Sequence, residues 1–106
     1  MGKDLVKSKK HWGIEELIID EPECKMKFLY MKKLGATGKH KHPNAKEIIY
    51  VQKGYIRIAM KHVFHILKAG TKVIIPPNQM HKISAIDDSI IIQITTGWNH
   101  GKDKSK

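Results

Sequence analysis

The chain has 106 residues, one cysteine and a formal net charge of +10, which allows one modest core and no internal disulfide framework. The charge does not point to nucleic acid: Arg57 is the only arginine, much of the excess sits at Lys3 to Lys10 and Lys102 to Lys106, and no helix-turn-helix, zinc-finger or stacking motif is present, so solubility or attraction of an anionic small substrate accounts for it. The lone Cys24, a start (MGKDLVKSKKHWG) with no apolar signal core and the lack of any apolar run near the roughly 20 residues of a membrane span fit a reducing, cytoplasmic protein with no membrane partner.

From the N-terminus, residues 1–10 are polar and charged and are expected to be loose, like the tail from Asn99 to Lys106; the ordered core is expected over about 11–98 of a single domain, 1–106. Between the ends the chain reads as short strands broken by turn residues. Strands are expected at Ile14–Asp20, Lys25–Lys33, His40–His42, Glu47–Gln52, Tyr55–Lys61, His65–Leu67, Lys72–Ile75, Lys82–Ile86 and Ser89–Thr96. Ile and Val dominate these runs, as β-branched residues do in strands. Glu21-Pro22-Glu23, Gly35 to Gly38, Pro43-Asn44, Lys53-Gly54, Gly70, Pro76-Pro77-Asn78 and Asp87-Asp88 separate them; Gly reaches positive φ, Pro ends ladders, and Asn and Asp support turns. No amphipathic helical stretch exceeds about two turns, so the fold class is all-β, a sandwich or closed barrel.

One constellation carries chemistry. His40 and His42 are two residues apart, which on a strand sends both imidazoles to one face, about 6.5–7 Å apart at Cα, where they can converge on one ion. Pro43 and Asn44 then turn the chain, Glu47 opens the next strand and can return to the same side, and His81 offers a third imidazole after Pro76-Pro77-Asn78-Gln79-Met80. Three imidazoles and a carboxylate suit Mn, Fe, Co, Ni, Cu or Zn, and four protein ligands leave an octahedral ion with open positions for substrate or water.

These residues resemble the two motifs of the cupin family. The first appears as His40-Lys41-His42, four residues, Glu47, six residues, Gly54; its preceding glycine, Gly35, lies one residue nearer than usual. The second appears as Gly70, five residues, Pro76-Pro77-Asn78, two residues, His81. Asn78 stands where the family has glycine, and Asn tolerates the left-handed conformation better than most residues. Ala85 stands where the family commonly has Asn. The resemblance spans roughly residues 12–97. It implies a double-stranded β-helix, or jelly roll, binding one divalent transition metal (Mn, Fe, Co, Ni or Zn) on His40, His42, Glu47 and His81. If Glu47 points inward, so do Ile49 and Val51, with Ile48 and Tyr50 on the opposite face.

A narrower resemblance rests on His11-Trp12-Gly13-Ile14-Glu15-Glu16, on Glu47 to Gly54 and on Ile91 to Gly97. These segments are similar to cupins related to the C-terminal domain of type II phosphomannose isomerases, and imply sugar or sugar-phosphate isomerase chemistry. The His-X-X-Arg-X-Glu stretch of those enzymes is absent, because Pro43-Asn44-Ala45-Lys46 carries no arginine. Such a reaction needs a base within about 3 Å of the transferred proton. Glu47 is one candidate, and a metal-bound water or a lysine are others. The alternatives are a metal-dependent dioxygenase of a small molecule and a non-catalytic small-ligand-binding cupin. A convergent acid or base in the pocket wall would favour the isomerase, an apolar wall the dioxygenase.

Tyr30, Arg57 and Gln93 are polar residues on expected strands, and any that point inward would contact substrate or support the metal. For Arg57 the solvent-facing orientation is preferred. Gln93 interrupts the apolar run from Ile90 to Ile94, and a buried amide needs partners. Met26, Phe28, Met60 and Met80 read as core filling, Trp12 and Trp98 as caps at the barrel ends, and Cys24 as an inert thiol. A cupin of this size commonly forms a homodimer by lending edge strands, which the resemblance implies here.

Overall fold

The protein is described by a computed structural model over residues 6–97; Trp98, His100 and the rest of the C-terminal tail lie outside them. Nine strands follow in order: β1 Val6–Lys10, β2 Gly13–Glu21, β3 Cys24–Met31, β4 Lys46–Lys53, β5 Tyr55–Ala59, β6 Phe64–Lys68, β7 Lys72–Ile75, β8 Lys82–Ala85 and β9 Ser89–Thr96. They form a six-stranded sheet in the order β1-β2-β3-β9-β4-β7 and a three-stranded sheet in the order β6-β5-β8. Every pairing between strands is antiparallel. This is the expected all-β, double-stranded β-helix. No helix among the described residues is long and apolar enough to cross a membrane.

The core lies between the two sheets. Ile49, Val51 and Ile91 of the large sheet face Ile56, Ile58 and Ile83 of the small one, all fully buried. Each such side chain contributes roughly 1.5–3 kcal/mol by leaving water. Alternation along β4 follows the expected parity: Glu47, Ile49 and Val51 are buried, while Ile48 is half-buried and Tyr50 exposed. Gly54 closes the β4–β5 hairpin at φ 96°, and a side chain there would collide with the backbone carbonyl of Asp88, so the position needs glycine twice over. Asn78 sits at φ 65°, the left-handed conformation anticipated from its place in the second motif.

Three expectations are corrected. Residues 6–10, read as part of a loose end, form β1, which pairs along its whole length with β2 from Val6↔Leu17 to Lys10↔Gly13. Its sequence, VKSKK, has almost no apolar character because it is an edge strand, where lysines deter further pairing. His40–His42 is not a strand: the segment is irregular, with one isolated bridge joining His40 to His81. Pro43 follows at once, and a ladder does not continue into a residue that lacks an N–H. Met80 is 41% exposed rather than in the core.

Candidate metal centre

Three separate pieces of backbone build the site. Glu47 is the second residue of β4, between Thr95 of β9 and Ile75 of β7, and its alternation aims the carboxylate into the barrel. His40 and His81 exchange both backbone hydrogen bonds, each N–H donating to the other's carbonyl at 3.0 Å. That antiparallel pair brings their rings together edge to face, with centroids 4.1 Å apart and planes at 63°. The Asn78 N–H donates to the His42 carbonyl at 2.6 Å and ties the second motif's turn to the first motif's loop.

Ligand atoms of His40, Glu47 and His81 all lie within 4.8 Å of one another. Glu47 is the hub. Its Oε1 is 2.6 Å from His81 Nε2, and its Oε2 is 3.6 Å from His40 Nε2 and 3.7 Å from His42 Nε2. His42 thus reaches the carboxylate but lies outside the tight group of three. Two donors held at about 2.1 Å by one octahedral ion, at right angles, are about 3 Å apart. The observed separations straddle that value.

The donor chemistry fits a cation. His81 Nδ1 lies 2.9 Å from the Gln79 carbonyl, which only accepts, so Nδ1 carries the proton and Nε2 turns a lone pair inward. His81 Nε2 and Glu47 Oε1 are both buried and neither makes a hydrogen bond. They approach to 2.6 Å without the alignment of a hydrogen bond. Two buried acceptors facing each other need a positive charge between them. Burial opposes ionisation of Glu47 more than any other single influence. The imidazoles of His40, His42 and His81 together outweigh it and hold the carboxyl well below the usual carboxylate range. The same carboxylate raises His40, against the opposing effect of burial.

Gln93 is the polar side chain that joins this cluster. It is buried, projects from β9 diagonally across from Glu47, and its Nε2 donates to Glu47 Oε2. The other two substrate candidates lie elsewhere. Tyr30 alternates with the buried Leu29 and Met31 on β3, so its ring is on the outer face of the large sheet, where its hydroxyl donates to Glu16 at 2.8 Å. Arg57 is exposed on β5, its guanidinium 4.4 Å above the Phe64 ring. Alternation alone does not separate these three, because β3 and β9 are apolar on both faces.

The cluster opens into a cleft of about 290 Å³ whose wall includes Lys10, Glu15, Lys25, Lys27, Trp12 and Leu29. Glu15 and Lys27 pair across the wall at 3.4 Å. None of these cleft residues was assigned to the site from the sequence. Lys10 is placed inward only once β1 is known to be a strand, and Glu15 only once the pairing of β2 with β3 sets it opposite Leu29. Trp12, expected as a cap, is 5% exposed and both packs in the core and lines the cleft.

A jelly roll whose first and second motifs meet at a buried carboxylate and clustered imidazoles defines a class of barrel able to hold a metal ion. The chain belongs to the cupin family: the family model for the cupin domain matches residues 16–95. No curated protein matches it in sequence. Among solved structures it is similar to KdgF from Halomonas sp., with 17% identity over 94% of this chain and 93% of that one at a TM-score of 0.79. It is equally similar to an RmlC-like cupin from Shewanella frigidimarina, with 17% identity over 96% and 92% and a TM-score of 0.79. Bacillus subtilis oxalate decarboxylase, studied for its Mn(II) centres, superposes at a TM-score of 0.80 with 14% identity over 94% of this chain and 29% of its own. Likenesses this distant in sequence speak for the fold.

Proposed function

We propose that this cupin binds one divalent transition metal on His40, Glu47 and His81, with His42 completing the set, and acts on a small anionic oxygenated ligand such as a sugar phosphate. The observation that carries the metal reading is the pair of buried atoms without hydrogen bonds, Glu47 Oε1 and His81 Nε2. Manganese is the first ion to try, given the Mn(II) centres of the oxalate decarboxylase that shares the fold. The anionic ligand is supported by the three lysines, Lys10, Lys25 and Lys27, in the cleft wall.

When bound, the metal would polarise a carbonyl or hydroxyl oxygen as a Lewis acid. The chain's own residues divide the remaining tasks. Gln93 fixes the Glu47 carboxylate by donating to Oε2. Lys25 and Lys27 hold the ligand's anionic end. Glu15, the carboxylate in the cleft wall beyond Glu47, takes a proton from the hydroxyl-bearing carbon next to the carbonyl and returns it to the carbonyl carbon, while the hydroxyl proton passes to the former carbonyl oxygen. A cleft wall with an acid and lysines, rather than an apolar one, favours this isomerase-like reading over a dioxygenase.

The test is a thermal-shift screen of sugar phosphates against protein loaded with Mn(II) and protein stripped by chelator. A stabilising shift confined to the loaded protein, and lost in Lys25→Gln/Lys27→Gln, is expected. Shifts with neutral diols or catechols but none with any sugar phosphate would overturn the anionic-ligand reading and favour the dioxygenase. Ligand-dependent shifts without turnover would leave a binding module.

A further inference from the structure

A second cleft lies on the other side of the bridge between His40 and His81. Those two residues pair antiparallel, so Lys39 falls beside Lys82 and Lys41 beside Met80. Alternation sends the two imidazoles to the inner face and these neighbours to the outer one. There Lys39, Lys41, Met80 and Lys82 line a cleft of about 560 Å³, nearly twice the volume of the cleft at the metal centre, and the two clefts share no lining residue. Lys82 is paired with Ala59 of β5, whose small side chain leaves room beside it. The Met60 N–H donates to the Val63 carbonyl at 2.8 Å, closing the turn that brings Lys61 to the same cleft.

Among the described residues, four lysines and no carboxylate line this space. Between Glu23 and Asp87 the sequence has a single acidic residue, Glu47, and it is buried at the metal centre. Lys39, Lys41, Lys61 and Lys82 form no ion pair with any described residue, in contrast to Lys27, which pairs with Glu15. Like charges set side by side repel. A concave wall of one sign also focuses its field on any anion that enters. Lys39, Lys41 and Lys61 are exposed and Lys82 is half-buried, so their flexible stems can turn the ammonium groups toward a ligand. Met60 and Met80 add an apolar, adaptable patch beside them.

We propose that this cleft is a second anion site, separate from the metal centre, and that it takes an organic polyphosphate. The phosphates lie among the four lysines, and the organic body packs against Met60 and Met80. Lysine ammonium groups bind phosphate oxygens as compact charges through charge-assisted hydrogen bonds. Four of them, brought together from the His40 loop, the start of β8 and the turn after β5, suit a chain of phosphates better than a single one. The volume falls within the range of small-molecule sites. Nothing in this site requires the ion held by Glu47, so its failure and the failure of the metal reading are separable.

The test is calorimetric titration of the full chain with magnesium-free ATP at low salt, before and after treatment with chelator. One equivalent should bind in both states, more weakly as salt rises. Lys39→Gln/Lys82→Gln should weaken binding about 100-fold, about tenfold for each lost charge-assisted contact, while the matched charge loss in Lys68→Gln/Lys72→Gln should change it less than about twofold. Metal content equal to the wild type reports an intact barrel in each variant, and Lys61→Gln alone should show the single-contact loss if the double variant does not fold. Met80→Ser, at a side chain that already reaches water, should weaken ATP and leave inorganic tripolyphosphate unchanged. Absence of saturable binding, or equal losses in the two double variants, would overturn the proposal. Binding lost in Lys25→Gln/Lys27→Gln but kept in Lys39→Gln/Lys82→Gln would place the anion in the metal cleft and overturn it too. Tripolyphosphate binding as tightly as ATP would overturn the organic part of the ligand.

Discussion

The two faces of the six-stranded sheet solve opposite problems. On the inner face the apolar core gives way, beside the charged cleft wall, to a polar island, Glu47, Gln93 and Thr95, all nearly removed from solvent. On the outer face, apolar residues stand in water and Glu16 is the one strongly buried polar group, accepting from Tyr30. Buried charge persists only where partners compensate its lost hydration. Around Glu47 those partners are three imidazoles and an amide, drawn from a loop, a turn and a neighbouring strand. The outer face has no such convergence, and its isoleucines have only another surface to gain. The comparison teaches that a site is recognised less by polarity than by polarity placed where it is costly.

Removing the third imidazole gives the sharpest break. His81→Ala should reduce bound metal from one equivalent to background, measured by elemental analysis of the purified protein. His42→Ala should retain metal, bound roughly tenfold more weakly, because His42 lies outside the tight group of three. Retention of wild-type metal by His81→Ala would mean that the ion is held elsewhere.

The two faces should also differ in mechanical value. Ile49→Ala opens a cavity in the core and should cost about 3–4 kcal/mol in urea unfolding. Ile48→Ala, the adjacent residue on the other face, should cost about 1 kcal/mol in the same measurement. Equal losses would erase the distinction between the faces.

Gln93→Leu keeps the volume but removes the donor to Glu47. It should weaken metal binding about 10–100-fold, read by competition with a chelating dye, with the fold intact. The smallest effect is on pH dependence in chelator-treated protein. Glu47 titrates below its ordinary 4.5 in the fold, so its contribution to stability is complete above 4.5 and disappears as pH falls through the lowered value. His40 titrates above its ordinary 6.5, so its contribution is complete below 6.5 and is lost as pH rises through the raised value. Stability of the metal-free protein, followed by thermal melting, should therefore peak between 4.5 and 6.5. Metal should move that peak upward, since ligation requires neutral imidazoles. A stripped protein most stable above pH 8 would contradict the pairing around Glu47.

Much of the fold was readable because its signals are local. Gly54 and Asn78 occupy positive-φ positions, and the parity of β4 follows from a strand with a clear inner and outer face. Other features depend on pairing between distant segments. β1 was missed because an edge strand made of lysines carries no hydrophobic alternation. Tyr30 and Gln93 point to opposite faces of the same sheet, although β3 and β9 each offer apolar residues at both parities, so period two gave no preference. Bulges between Leu17 and Ile19 and between Val51 and Lys53 shift the register further. No local rule anticipates them.

By itself, the sequence determined the all-β class, the positions of most turns and the residues with the chemistry to hold a metal, because each depends on the conformational limits of one residue or the spacing of a few. Only the tertiary structure decided that His40 meets His81 across a single bridge, that Glu47 Oε1 and His81 Nε2 are left facing each other, and that Glu15 and three lysines line the way in. Those are encounters between segments far apart in the chain. Their outcome is set by which strands pair and in which register, a property of the whole barrel and of none of its parts.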